Sequence, residues 1–378
     1  MAGAGRPPGA GGAQEIRSQV LATMARMPRS SGTRQAGVVV YRSTGEVDAI
    51  DQYARLLTAA LVGRGAPARY VSGGLPLDAR QWRSAPWMLV QYCPFSYGRW
   101  GFAPRLVAGA ASVRGRSQVR LGIVVHEGWV SSRGWRNGAM GAYQRTQLHR
   151  LVDLAHVVIV TTEELAGRLG ERAVHVPVAS NIAPVDCSRE AARRQLGYGE
   201  ELVVAMFGTP HPSRAIDHGV AAIKALADER DPSALRVLNL GADAPGLGLS
   251  LDVNVDTPGV LGDRDLSMRL RACDMLLLPF NEGVSTRRTT LMAGLAHGVP
   301  VVGSRGPHTD RSLLEHEDAL VLAPAHAAGA YAVAAVALAA DAVRRRQVAA
   351  AGQRLYDTTF DWPILAGRVE AAMQIAAP

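Results

Sequence analysis

The sequence predicts an α/β protein of two doubly wound domains, each a parallel sheet covered by helices, with the two sheets facing a central cleft. Three observations carry this. Short apolar runs alternate with helix-length stretches from about residue 36 onward. The alternation breaks once, around residues 176–185, where Pro177 and Pro184 bracket a segment without a consistent period. Finally, 378 residues exceed what one ordinary core accommodates.

The elements follow in order. Residues 1–32 are rich in Gly, Ala, Pro, Ser and Arg and read as a disordered tail, because they lack the apolar surface to offset their ordering entropy. The first domain, 33–185, opens with Val38-Val39-Val40, a turn at Ser43-Thr44-Gly45, and a helix through Ala54, Leu57 and Leu61. Further strands are expected at Trp87 to Gln91, Leu121 to Val125 and Val157 to Val160. The second domain, 186–358, places strands at Leu202 to Phe207, Leu235 to Leu240, Met275 to Pro279 and Pro300 to Gly303. Helices are expected at Ile216 to Leu226, Asp263 to Ala272 and Thr289 to His297, with one long Ala-rich helix from Ala325 to Ala351.

Composition narrows the function. The longest apolar runs fall far short of the roughly twenty residues that a bilayer span needs. Three scattered cysteines, Cys93, Cys187 and Cys273, form neither a metal-ligand spacing nor an even-numbered disulfide framework, which suits a reducing, cytoplasmic location. A net charge of +8 suits nucleic acid, an anionic membrane face or a phosphorylated small molecule alike. The arginines are spread along the chain rather than clustered with aromatic residues, so a nucleic-acid or anion-binding module is the weaker alternative and no nucleic-acid partner is expected. The single lysine, Lys224, lies in an amphipathic helical stretch and reads as a solvated face rather than a Schiff-base amine.

Two loops offer phosphate chemistry. After the strand ending at Phe207, Gly208-Thr209-Pro210-His211-Pro212-Ser213-Arg214 leads into a helix, so unpaired N–H groups and the helix dipole would face an anion, with Arg214 beside it. After the strand ending at Pro279 come Glu282, Gly283, Ser285, Arg287 and Arg288. Two arginines at a helix start oppose the dipole unless an anion sits there; the alternative is that one is solvated and the other pairs with Glu282. In the first domain His126-Glu127 ends a strand. An imidazole titrating near neutrality there is placed to touch a bound substrate or take a proton, against the alternative of a buried histidine satisfied by backbone. Trp129, Arg133, Trp135 and Arg136 form an aromatic and cationic loop. Gly45, Glu46 and Tyr97 follow strand ends and are expected, with Trp129, to contact an acceptor.

The run from Met275 through Pro279, Glu282-Gly283 and His297-Gly298-Val299-Pro300 resembles the donor segment of GT-B glycosyltransferases of family four. It is closest to a bacterial subgroup whose loop reads Gly-Val-Ser-x-Arg-Arg, here Gly283 to Arg288. Residues 92–97 (YCPFSY), His126-Glu127, IVTTEE from Ile159, PVASNI ending at Ile182, and FGTPHPSR from Phe207 occur in that subgroup's order, so the resemblance spans nearly the whole chain. It implies two Rossmann-like domains, the first binding the acceptor and the second the nucleotide sugar, with residues 359–378 from Phe360-Asp361-Trp362 as a helix crossing back to the first. Departures are specific. The family's paired glutamates fall on Ser285 and Ala293, Glu282 fitting the first only with a loop about two residues longer. Its diphosphate lysine falls on Arg214, and the glycine after it on Ala215.

The resemblance implies a metal-independent, retaining transfer of a sugar from a UDP- or GDP-linked donor, with no cofactor beyond that co-substrate. If the reaction inverts, His126 or Glu127 becomes the base. A soluble small molecule of natural-product metabolism is the expected acceptor. A lipid-linked or polysaccharide acceptor with peripheral membrane contact, or an epimerase on the same fold, remains the alternative.

Overall fold

The computed structural model describes residues 38–43, 49–73, 75, 77, 85–116, 118–130, 134–241 and 253–376. The expected N-terminal tail, the turn at Thr44-Gly45, the acceptor residues Gly45 and Glu46, and Arg133 lie outside the described residues.

The chain divides into two compact units, residues 1–177 with 362–378, and residues 178–361. The first holds a parallel sheet of strands β1 (Val38–Ser43), β2 (Ala68–Gly73), β3 (Trp87–Tyr92), β4 (Arg120–Val125), β5 (Val157–Val160) and β6 (Ala173–His175), in the order β2-β1-β3-β4-β5-β6. Every residue of β3 and β5 is buried, which is why these strands read as continuous apolar runs rather than alternating ones. Helices α1 (Ala49–Gly63), α2 (Pro104–Arg116), α3 (Trp135–Leu154) and α4 (Glu163–Leu169) follow. Tyr92, Leu106, Leu121, Leu148 and Val160 belong to one core that joins the sheet to these helices.

The second unit repeats the plan. Strands β7 (Leu202–Phe207), β8 (Leu235–Leu240), β9 (Asn254–Asp256), β10 (Met275–Leu278), β11 (Val301–Arg305) and β12 (Val321–Pro324) run parallel in the order β12-β11-β10-β7-β8-β9. Helices α5 (Arg189–Leu196), α6 (Ile216–Asp228), α7 (Asp263–Ala272), α8 (Thr289–Ala296) and α9 (Arg311–Leu314) connect them. Strand order reverses between β1 and β3 in one sheet and between β7 and β10 in the other, and beyond the carboxyl ends of such a pair an open α/β sheet leaves a crevice.

One expected element is two. The Ala-rich stretch forms α10 (Ala328–Ala340) and α11 (Ala342–Leu355), interrupted at Asp341, whose extended backbone stops the first and whose carboxylate accepts from Arg344 N–H at 2.8 Å to cap the second. After a π turn at Tyr356–Phe360, helix α12 (Trp362–Ile375) packs on α1 in the first unit, with Trp362 5.2 Å from the Tyr53 ring and Glu370 bonded to Arg64 at 2.6 Å. Lys224 is exposed on α6.

Candidate active site

The loops after β7 and β10 close on each other at the reversal point of the second sheet. Arg214 and Phe280 form an antiparallel bridge, Ala215 N–H donates to Pro279 O at 3.1 Å, and Asn281 N–H donates to Ser213 O at 2.8 Å. Together Gly208, Thr209, His211, Arg214, Phe280, Arg287, Arg288, Thr289 and Thr290 line a recess of about 180 Å³.

Arg214 dominates this recess. It is 9% exposed, its Nη1 donates to Phe207 O at 2.9 Å, and its Nε is buried with no partner. Among the described residues no carboxylate pairs with it, and burial pulls its pKa below the usual arginine value. A buried, uncompensated guanidinium is costly unless an anion completes it.

Arg288 approaches from the other loop. It is the residue immediately before α8, its guanidinium carbon stands 4.2 Å over the Phe280 ring, and Nη2 donates to Ser213 Oγ at 3.0 Å. Ser213 Oγ lies 2.7 Å from His211 Nδ1, and Ser213 N–H also approaches that nitrogen at 3.1 Å. Helix α8 has no side-chain cap and no acidic residue in its first turn, so the N–H groups at its start, where Thr289 and Thr290 line the recess, suit an anion.

The loop behind the recess is held rigidly. Thr286 donates through N–H at 2.6 Å and through its hydroxyl at 2.7 Å to buried Asp310, while Phe280 N–H and Val284 N–H reach Ser304. Gly283 has φ +96°, and a β-carbon there would sit 2.6 Å from Gly306 N, so its glycine identity answers to backbone crowding. Ser285 is buried within this loop.

Glu282 does not line the recess. Its half-exposed carboxylate pairs with His308 Nδ1 at 3.0 Å, which also replaces the expected alternative of an Arg287 or Arg288 partner.

In the first unit, His126 departs from a near-neutral titrating base. It is 9% exposed, sits edge-on to Tyr53 at 4.8 Å, and its Nε2 lies 2.8 Å from Gln91 Oε1. Burial, then the Arg42 cation, push its pKa down to about 3, so the ring is neutral at physiological pH, with Nε2–H donating to Gln91. Glu127 is half-buried and accepts from Cys93 Sγ at 3.5 Å. Two expected acceptor residues make contacts within the first unit. Tyr97 is buried, stacks on Tyr92 and donates its hydroxyl to Gln91 O at 2.6 Å. Trp129 packs against the core beneath Arg168, whose guanidinium carbon is 5.3 Å from its ring.

Sequence reasoning missed several participants. Phe280, as the platform for Arg288, and the Ser213–His211 pair were legible only as residues flanking the two arginine loops. A partly buried network in the first unit joins Asp51 to Arg55 at 2.8 Å, to the Tyr70 hydroxyl, and to Arg42 at 3.7 Å. Hydrogen bonding and charge from Tyr70, Arg55 and Arg42 outweigh burial and hold the Asp51 carboxyl below its ordinary value.

Two doubly wound parallel units, with an anion-competent recess at the reversal point of the second, define the GT-B class of fold. Solved structures share it. Sucrose-phosphate synthase from Thermosynechococcus elongatus superposes with a TM-score of 0.66 at 15% identity, over 90% of this chain and 100% of that one. HepE from Anabaena, solved with UDP and glucose, gives 0.61 at 15% identity over 90% and 99%. A glycosyltransferase from Rickettsia africae gives 0.63 at 10% identity over 91% and 100%. No family model and no curated protein matches the chain.

Proposed function

We propose that the chain is a glycosyltransferase that takes a sugar from a nucleoside-diphosphate donor held in the second unit. The observation that carries this reading is Arg214: a buried guanidinium with no carboxylate partner among the described residues, at the sheet's reversal point, facing a second guanidinium and an uncapped helix start. HepE, a structural neighbour, was solved with UDP and glucose, which makes a uridine nucleotide the first donor to test.

In the proposed reaction the acceptor hydroxyl forms a bond to the anomeric carbon as the bond from that carbon to the diphosphate oxygen breaks. The leaving nucleoside diphosphate keeps the electron pair and gains one negative charge. Arg214, Arg288 and the amides opening α8 bind that charge more strongly than the ground-state ester, which is transition-state stabilisation without a required metal. Arg287, at the same rim, adds cationic charge. For a retaining transfer the leaving phosphate itself accepts the acceptor's proton. The low pKa of His126 argues against it as a base near neutrality and suits it to neutral hydrogen bonding.

For the acceptor we favour a soluble small molecule of natural-product metabolism. Among the described helices none is long and apolar enough to cross a membrane. Three free thiols suit a reducing cytoplasm.

The test is a thermal-shift and calorimetry panel of UDP, GDP and other nucleoside diphosphates against the parent, Arg214→Ala and Arg288→Ala. Binding by the parent with at least tenfold loss in each variant supports the reading; a parent indifferent to every nucleotide overturns it. Product analysis with labelled nucleotide sugar then separates transfer from epimerisation, since an epimerase turns over without an acceptor.

A further inference from the structure

The second unit gathers guanidinium groups at the opposite ends of its strands as well. A groove of about 770 Å³ opens where Leu202 begins β7 and Asp274 precedes β10, bordered by α5, Arg230 and Arg345. It shares no lining residue with the Arg214 recess and lies one strand length away, roughly 20 Å at about 3.3 Å per residue.

The two carboxylates shielded within it, Asp274 and Glu201, are already committed. Asp274 accepts from Arg189, from Arg193 at 2.9 Å and from Val203 N–H at 2.8 Å. Glu201 pairs with Arg236 at 2.9 Å and with Arg193 at 4.0 Å. Glu190 and Glu200 are exposed on the rim, as is Arg194. Two cations are left over. Among the described residues the half-buried Arg230 side chain makes no hydrogen bond or ion pair, and its Nη1 is shielded from solvent. Among the described residues Arg345 hydrogen-bonds only the backbone carbonyls of Leu338, at 3.2 Å, and Ala339. Burial, with repulsion from Arg189 and Arg230 set against attraction from Asp274 and Asp341, holds Arg345 below the ordinary arginine value.

Clustered like charges with unused donors cost free energy that a bound anion would offset. We propose that this groove is a second anion site, taking the phosphate group of a small molecule between Arg230 and Arg345. The site does not depend on the sugar-transfer reading, because a ligand here would occupy a different edge of the sheet.

Calorimetric titration of the full chain with inorganic pyrophosphate tests it. The parent is expected to show two binding events. Arg214→Ala removes one, and in that background Arg230→Ala with Arg345→Ala weakens the remaining event at least tenfold. Pyrophosphate binding that is absent from the Arg214→Ala chain, or that survives the double change within twofold, overturns the proposal. Should the double variant fail to fold, Arg230→Gln alone decides. Its melting temperature without anion should equal or exceed the parent's, with a reduced pyrophosphate-induced rise. A fall in the anion-free melting temperature with the rise intact would mark Arg230 as structural and overturn the site.

Discussion

The Arg214 guanidinium lies against Gly208 so closely that a β-carbon on Gly208 would stand inside 3.0 Å of Nη1. The glycine has φ +126°, a backbone conformation that other residues adopt at a cost of about 1–3 kcal/mol. Loop and arginine are therefore a single device: the strand end turns as it does to leave room for the cation.

Gly208→Ala should accordingly lower nucleoside-diphosphate affinity at least tenfold while reducing stability by about 1–3 kcal/mol. Calorimetry and urea denaturation on the same preparation check both effects. Unchanged affinity would mean that the Arg214 position is irrelevant to binding.

Arg214→Met trades in the other direction. Removing a buried cation that lacks a carboxylate partner among the described residues relieves its desolvation, so the ligand-free protein should melt at the same temperature or higher. Nucleotide-induced stabilisation should disappear, in line with the roughly 1.5–3 kcal/mol of a hydrogen bond to a charged group. A melting scan with and without nucleotide reads both.

Arg288→Lys keeps the charge but loses the planar stack on Phe280 and the bond to Ser213. Affinity for a nucleoside diphosphate should fall about three- to tenfold, between the parent and Arg288→Ala, by about 0.7–1.4 kcal/mol. Calorimetry of the three proteins orders them.

His126 sets a pH signature. Its ring stays neutral in the folded protein down to about pH 3, whereas an unfolded histidine takes a proton near pH 6.5. Its contribution to stability is whole above 6.5 and is lost progressively as the pH falls from there toward 3. His126→Gln should flatten that part of a urea-stability profile, and the parent's activity should lack an acidic limb near 6.5 that vanishes in this variant.

The cysteines divide by burial. Burial, then Glu127, push the Cys93 thiol up to about 12, and burial raises Cys273 further, while Cys187 is half-buried. A thiol reagent at pH 8 should label Cys187 first in the native protein and all three once it is denatured, as mass spectrometry would resolve.

Much of this was legible in the sequence where one segment carries its own reason. Met275 to Leu278 reads as a buried parallel strand because all four residues are apolar, and Arg214 reads as a phosphate contact because it precedes a helix in a strand-end loop. What long-range contacts decide was not. His126 owes its neutrality to burial and then to Arg42, 84 positions away on β1, and its hydrogen bond to Gln91, 35 positions away on β3. Tyr97 turns inward because the Gln91 carbonyl needs a donor. Asp341 is the reverse case. Its capping role was available to read, since an aspartate followed by Ala342-Val343-Arg344 is a helix start, but the alanine-rich surroundings masked it.

The placement of α12 orders the birth of the molecule. Residues 178–361 form an uninterrupted unit, whereas the unit that contains β1 is finished only by Trp362 closing beside Tyr53. On the ribosome the middle of the chain can reach its native state while the earlier-made portion still waits for its last wall, so that portion's open side needs protection until residues 362–375 have been made.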